Sequence, residues 1–146
     1  MFQHKNKKIK NATACEYDGI KFKSKLELYC YKYFKENGIS LKYEQNKVVL
    51  MEGFTPECNL YIPNKERNIE LFKNRIIHIT YDCDFYLEHD NKKIYIESKG
   101  SPTDSYKIKK KLFLKQINVA NSYFFEPHNQ EQVRQCYQII KKIINN

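Results

Sequence analysis

Residues 75–100 read RIIHITYDCDFYLEHDNKKIYIESKG, and the spacing of apolar side chains in this stretch decides the fold. Ile77, Ile79, Tyr81, Cys83, Phe85 and Leu87 occupy every second position, with His78, Thr80, Asp82, Asp84 and Tyr86 between them. A strand turns successive side chains to opposite faces, so this period of two predicts one long strand over 75–88. His89-Asp90-Asn91 is a turn signal, and Lys93–Lys99 predicts the partner strand of a hairpin that closes at Gly100.

With Asp90 and Asn91 as the two loop residues, antiparallel pairing sets Leu87 opposite Ile94, Asp84 opposite Glu97 and Asp82 opposite Lys99. Ile94 and Ile96 then share an apolar face with Phe85 and Cys83, while the charged groups gather on the other. Glu97 and Lys99 share a face whatever the register, but a slip of one residue would part them from Asp84. Two carboxylates placed side by side repel, and a divalent cation removes the conflict. Oxygen-only ligands suit Mg²⁺ or Mn²⁺, and such a site with a lysine beside it is suited to hydrolysing phosphodiesters.

Each of these residues also has a plainer explanation. Glu-x-Lys in a strand is a common accident, and Asp82 reads most simply as a partner for Lys99. Ser24-Lys25-Leu26-Glu27 is a capping box, in which Glu27 would bond back to the Ser24 amide. The lysines at 107, 109, 110, 111 and 115 fit the solvated side of an amphipathic helix.

Outward from the hairpin, the elements alternate. Glu16–Phe22, with its Asp18-Gly19 turn, predicts a small strand. Ser24 caps a helix whose stripe of Leu26, Tyr29, Cys30, Tyr33 and Phe34 ends at Asn37-Gly38. Ile39–Leu50 reads as extended. Met51–Arg75 has no clear period and reads as an insertion. Thr103–Gln116 predicts a helix, 121–126 a strand, and 129–144 a last helix with Val133, Cys136, Tyr137, Ile140, Ile143 and Ile144 on its apolar side. Together these predict an α/β fold, a mixed central sheet flanked by helices.

At 146 residues the chain has the size of a single domain, 1–146, with residues 1–15 as a loose basic arm. Its hydrophobic fraction of 41% excludes a disordered chain. No run approaches the roughly 20 apolar residues of a membrane span, and Met1–Lys10 lacks the apolar middle of a signal peptide. A soluble protein of the cytoplasm, without a membrane partner, is the expectation. The net charge of +9 favours a polyanionic partner, nucleic acid foremost, but Lys, Asn, Ile, Tyr and Phe are all residues of A/T-rich codons, so charge alone is weak evidence. Five scattered cysteines, with no Cys-x-x-Cys pair, predict reduced thiols rather than a zinc site or disulfide scaffold.

The order of these motifs gives the chain a resemblance. Asp18-Gly19-Ile20-Lys21-Phe22-Lys23-Ser24-Lys25-Leu26-Glu27, Tyr81-Asp82-Cys83-Asp84-Phe85 and Ile96-Glu97-Ser98-Lys99-Gly100 together resemble the PD-(D/E)xK nucleases, in particular bacteriophage endonuclease I, the Holliday-junction resolvase, and small phage-encoded nucleases related to it. The resemblance spans Asp18 to Gln116, about two thirds of the chain. It implies a restriction-endonuclease-like core with Glu27, Asp84, Glu97 and Lys99 as catalytic residues. Asp84 and Glu97, with the Ser98 carbonyl and Glu27, would hold Mg²⁺ (or Mn²⁺), and Lys99 would assist the attacking water. It implies branched DNA as substrate, a homodimer, and action in a host cytoplasm if the chain is phage-encoded. Lys107, Lys110, Lys111 and Lys25 are the expected phosphate contacts. Two departures stand out: Met51–Arg75 is longer than the corresponding connection, which leaves junction specificity open, and Cys83 stands where the family often has Pro. The rival functions are a nicking or restriction-like endonuclease on duplex DNA, a catalytically silent nucleic-acid-binding module, and a partner-binding protein with incidental charge.

Overall fold

The computed structural model describes residues 14–146; the expected basic arm at the start lies almost wholly outside the described residues. The predicted hairpin forms as expected at its turn. Strands β8 (Phe85–His89) and β9 (Lys92–Ile96) pair antiparallel with His89 opposite Lys92, Leu87 opposite Ile94 and Phe85 opposite Ile96. Asp90 and Asn91 both take positive φ, 47° and 63°, the left-handed pair that a two-residue loop of matching twist requires.

Around it the chain runs β1 (Cys15–Tyr17), β2 (Ile20–Phe22), α1 (Lys25–Glu36), β3 (Lys42–Tyr43), β4 (Lys47–Met51), β5 (Tyr61–Pro63), β6 (Ile69–Leu71) and β7 (Ile79–Asp82) before the hairpin. After it come α2 (Asp104–Gln116), β10 (Ser122–Phe125) and α3 (Gln130–Asn145). The central sheet has the order β10-β9-β8-β3, and only the β10–β9 pair is parallel. The fold is therefore mixed α/β, with a β9-α2-β10 crossover, three small antiparallel pairs beside the sheet, and three helices among the described residues.

The helices cover both faces of the sheet, so both sides of the hairpin are buried. Phe85, Ile94 and Ile96 pack with Phe22, Cys30 and Phe34 of the β2–α1 region and Val133, Tyr137 and Ile140 of α3. The alternate residues Tyr86 and Tyr95 face the other way, into a second cluster with Tyr81, Cys83, Tyr106 and Phe113 under α2. Edge-on and tilted ring contacts knit that cluster, Tyr95 to Phe113 at 5.1 Å and Tyr81 to Phe113 at 4.8 Å between centroids.

The structure departs from the long-strand expectation. Residues 75–88 do not form one strand: the ladder breaks at Cys83-Asp84, and β7 leaves the central sheet to pair with β4. Across that break the alternation changes face, so Tyr81 and Cys83 join the α2 cluster while Phe85 joins the α1/α3 cluster. Cys83 thus does not share a face with Phe85, and Ile77, placed on the apolar side by periodicity, is 78% exposed. Asp82 stands opposite Lys47 rather than Lys99. A period of two reports local backbone geometry and carries no signal for a change of sheet.

Met51–Arg75 becomes an arm. Its β5–β6 hairpin is exposed along both strands, and its base is closed by an isolated bridge between Phe54 and Ile76. Because the arm contributes little burial, replacing residues 57–72 with a short Gly/Ser loop is expected to cost less than about 1 kcal/mol. Phe85→Ala in the central sheet should cost about 3–5 kcal/mol. Urea unfolding of the two variants measures both, and a large loss on arm removal would contradict this division of labour.

Candidate functional site

The C-terminal end of β9, the Cys83-Asp84 break and the first turns of α1 and α2 surround one cleft of about 690 Å³. Glu27, Asp84, Glu97, Ser98 and Lys99 all line it, together with Lys23, Ser24, Glu44, Lys47, Asp82, Thr103, Tyr106 and Lys109. The three segments that carry the motifs, at 23–27, 80–84 and 97–100, thus lie along one cleft. A larger concavity of about 870 Å³ runs along the arm. In the stretch 51–76, however, Glu52, Glu57, Glu66 and Glu70 balance Lys65, Arg67, Lys73 and Arg75, and no buried charge points into that concavity. The cleft is the place where chemistry is concentrated.

Its carboxylates are deep. Glu27, Asp84 and Glu97 are 6%, 6% and 2% exposed, in a class of residue that is almost never buried without partners. Glu97 sits one residue beyond β9 and is held on both oxygens. Its Oε2 accepts from the Tyr81 hydroxyl at 2.7 Å and the Asp84 amide at 3.2 Å, and its Oε1 pairs with Lys99 Nζ at 2.7 Å. Asp84 Oδ2 accepts from the Ser98 amide at 2.8 Å. The two side chains therefore clasp each other's backbone, one step past the last ladder pair of the hairpin.

Glu27 belongs to the first turn of α1. Ser24 caps that helix, its hydroxyl accepting from the Glu27 amide. The capping-box expectation holds in part: the Glu27 carboxylate accepts from the Ser24 hydroxyl at 3.0 Å and from the Lys23 amide at 3.0 Å, rather than from the Ser24 amide. The Tyr43 hydroxyl donates to it at 2.6 Å.

The electrostatics follow from this burial. Removal from water pushes the Asp84 carboxyl up to about 8, and the Glu97 and Glu27 carboxylates add to the effect, with Lys99 and the Ser98 amide opposing it. For Lys99 burial acts against the charged form, yet the bond to Glu97 and the nearby Asp84 and Glu27 outweigh it and hold the ammonium above its ordinary range. The N-termini of α1 and α2 both border the cleft, presenting the positive ends of their dipoles to it.

Among the described residues no group of three or more His, Cys, Asp or Glu side chains is arranged to hold a metal ion. Glu27 and Glu97 are occupied by internal donors. The set offers oxygen donors only, the type that hard cations take, and an Asp84 anion destabilised where it stands.

The expected phosphate-contacting lysines are not on the cleft. Lys25 and Lys111 are exposed away from its lining, Lys107 pairs with Asp104 at 3.2 Å, and Lys110 is bound by Glu126 at 2.7 Å. The cationic walls come instead from Lys47 and Lys109, with Lys23 also on the lining but paired with Glu44. Nothing in the sequence alone sets these lysines apart, nor Tyr43, Tyr81 and Tyr106. Lys109 differs from its neighbours only by helical phase, which a run of lysines conceals.

Asp84 gives a signed pH dependence. Its folded-state pKa lies above the ordinary 3.8, so the fold binds this proton more tightly than the unfolded chain does. That contribution is complete below pH of about 4 and is lost as pH rises through about 8. In chelator, Asp84→Asn is expected to raise stability at pH 8 by on the order of 2 kcal/mol and to leave it nearly unchanged at pH 4. Denaturant midpoints at the two pH values measure this, and an equal effect at both would contradict it.

No curated protein and no solved structure matches the chain. One protein family does, over residues 6–128, a stretch that carries every residue lining the cleft. No described helix is long and apolar enough to cross a membrane. On a match of that extent, the chain belongs to the family described as "Protein of unknown function (DUF1064)".

Proposed function

We propose that this chain is a metal-dependent endodeoxyribonuclease of the PD-(D/E)xK type, acting in the cytoplasm on branched DNA as a homodimer. The observation that carries the reading is the convergence of Glu27, Asp84, Glu97 and Lys99 on one cleft at the end of a mixed sheet flanked by helices. Asp84, Glu97 and the Ser98 carbonyl would hold Mg²⁺ or Mn²⁺, with Glu27 completing the site. When bound, the cation would supply a Lewis acid for the phosphoryl oxygen and a more acidic water.

The protein's own groups supply the rest. Lys47 and Lys109 on the walls, with two helix N-termini, attract and orient a phosphate backbone without reading its sequence. Lys99, kept charged by Glu97, stands where it can orient the attacking water or neutralise charge developing on the phosphate. Tyr81, whose own hydroxyl is kept protonated by burial and by the carboxylate beside it, fixes the Glu97 oxygen it bonds. Paired incisions across a four-way junction call for two such clefts, which a twofold dimer provides.

A second reading has a specific observation behind it. Glu97 and Glu27 are already satisfied by Lys99, Tyr81, Ser24 and Tyr43, as they would be in a module that binds nucleic acid without cutting it. Incubation of the purified chain with a synthetic four-way junction, a linear duplex and Mg²⁺ or Mn²⁺ separates the possibilities. The nuclease reading expects junction cleavage that falls on the order of 100-fold or more in Asp84→Asn and in Lys99→Ala, with binding kept within a few-fold. Equal cutting of duplex and junction points to a nicking or restriction-like enzyme. Tight binding with no product in any metal selects the silent module and overturns the enzyme.

The walls make a separate prediction. Lys109→Ala should reduce the slope of log binding constant against log salt by about 1 on every DNA tested. Lys110→Ala, which removes a cation already neutralised by Glu126, should change it much less. Fluorescence-anisotropy titrations at several salt concentrations compare the two.

A further inference from the structure

Beside the four site residues lies a buried tyrosine whose contacts are not explained by packing alone. Tyr106, in the first turn of α2, lines the cleft. The Lys99 ammonium sits 4.8 Å from the centre of its ring, while its other anchor, Glu97 Oε1, is 2.7 Å away. The Tyr106 hydroxyl donates to Glu126 Oε2. Glu126 is gripped in turn by Lys110 at 2.7 Å and by His128 Nε2 at 3.0 Å. Glu97 and Glu126 each follow directly on the end of a strand, and those strands, β9 and β10, are parallel neighbours joined here by the bond from the Glu97 amide to the Phe125 carbonyl at 2.9 Å.

A lysine has four rotatable bonds, so one hydrogen bond leaves its ammonium free to swing about the acceptor. A second anchor on a different element removes that freedom. The face of an aromatic ring attracts an ammonium most strongly where water is partly excluded, as it is beside the buried Glu97. The ring itself has little room to turn: its hydroxyl is tied to Glu126, and Tyr81 packs 6.5 Å away between centroids.

We propose that Tyr106 is a positioning residue, its ring holding the Lys99 ammonium over the cleft beside Glu97 while Glu126 fixes the ring through its hydroxyl. Where the ammonium sits follows from these contacts alone; what that does for catalysis rests on the nuclease reading above.

The place of the ammonium can be read without any activity. Protons over an aromatic face are shielded, so in carbon-edited NMR spectra of the full-length protein the Lys99 ε-methylene signal, assigned by its loss in Lys99→Gln, is expected upfield of the exposed lysines. Tyr106→Phe keeps the ring but cuts its tie to Glu126, so the shift should fall only part of the way; Tyr106→Leu should return the signal to the ordinary lysine position. On a cleaved substrate, Tyr106→Leu should lower kcat about 10-fold or more with KM changed less than about 3-fold, and Tyr106→Phe should restore kcat to within about 3-fold of wild type.

An unshifted Lys99 signal in the wild-type protein overturns the proposal, and that spectrum needs no variant to fold. Full kcat in a folded Tyr106→Leu protein overturns the positioning role as well. A wild-type protein that cuts no DNA sinks the nuclease reading instead, and the shielding still decides where the ammonium lies.

Discussion

The mutual clasp of Asp84 and Glu97 is the constraint on which the rest of the molecule depends. Each carboxylate accepts the amide at or beside the other, Asp84 from Ser98 and Glu97 from Asp84. These bonds extend the register of the β8–β9 hairpin past its last ladder pair. The register originates some distance away, in the two-residue Asp90-Asn91 turn with positive φ at both positions. A turn at one end of a hairpin thus sets the spacing of charges at the other. The apolar pairs between, Phe85 with Ile96 and Leu87 with Ile94, oppose slippage because a shift of one residue would turn them out of the α1/α3 cluster and into the tyrosine-rich cluster under α2.

Holding three acids in a low-dielectric pocket opposes stability, and the structure shows how the opposition is contained. Tyr81, Tyr43, Ser24 and Lys99 donate to Glu97 and Glu27, and the Asp84 anion is left as the destabilised member. Two aromatic and aliphatic clusters on either side of the sheet supply the burial that tolerates it. Strain of this kind concentrates where a protein works, since a group with no internal need to be buried and charged is poorly explained by packing.

Much of this was legible in the sequence, and the failures have identifiable causes. The Asp90-Asn91 turn, the pairing of Asp84 with Glu97, and the three helices follow from turn chemistry and periodicity, which act locally. The gathering of Glu27 with the hairpin acids came from motif order; nothing in the helix stripe of α1 shows where its first turn points. The break at Cys83-Asp84 was invisible because residues on both sides keep alternating, so the change of face leaves no trace in hydrophobicity. Lys110 and Lys109 cannot be told apart without knowing which flank of α2 meets the cleft and that Glu126 occupies one of them. The tyrosine donors were unreadable for the same reason: a buried hydroxyl is chosen by its tertiary neighbour.

The tyrosine–carboxylate pairs also give the molecule an optical character. The chain has 12 tyrosines and no tryptophan, and four of those phenols are bonded to glutamates, Tyr43 to Glu27, Tyr81 to Glu97, Tyr86 to Glu88 and Tyr106 to Glu126. A carboxylate acceptor dims the ultraviolet emission of the phenol it binds. With no indole to mask that signal, any event that draws Glu27 or Glu97 away from its phenol would register as a brightening, so the protein carries its own luminescent gauge of what its acids are doing.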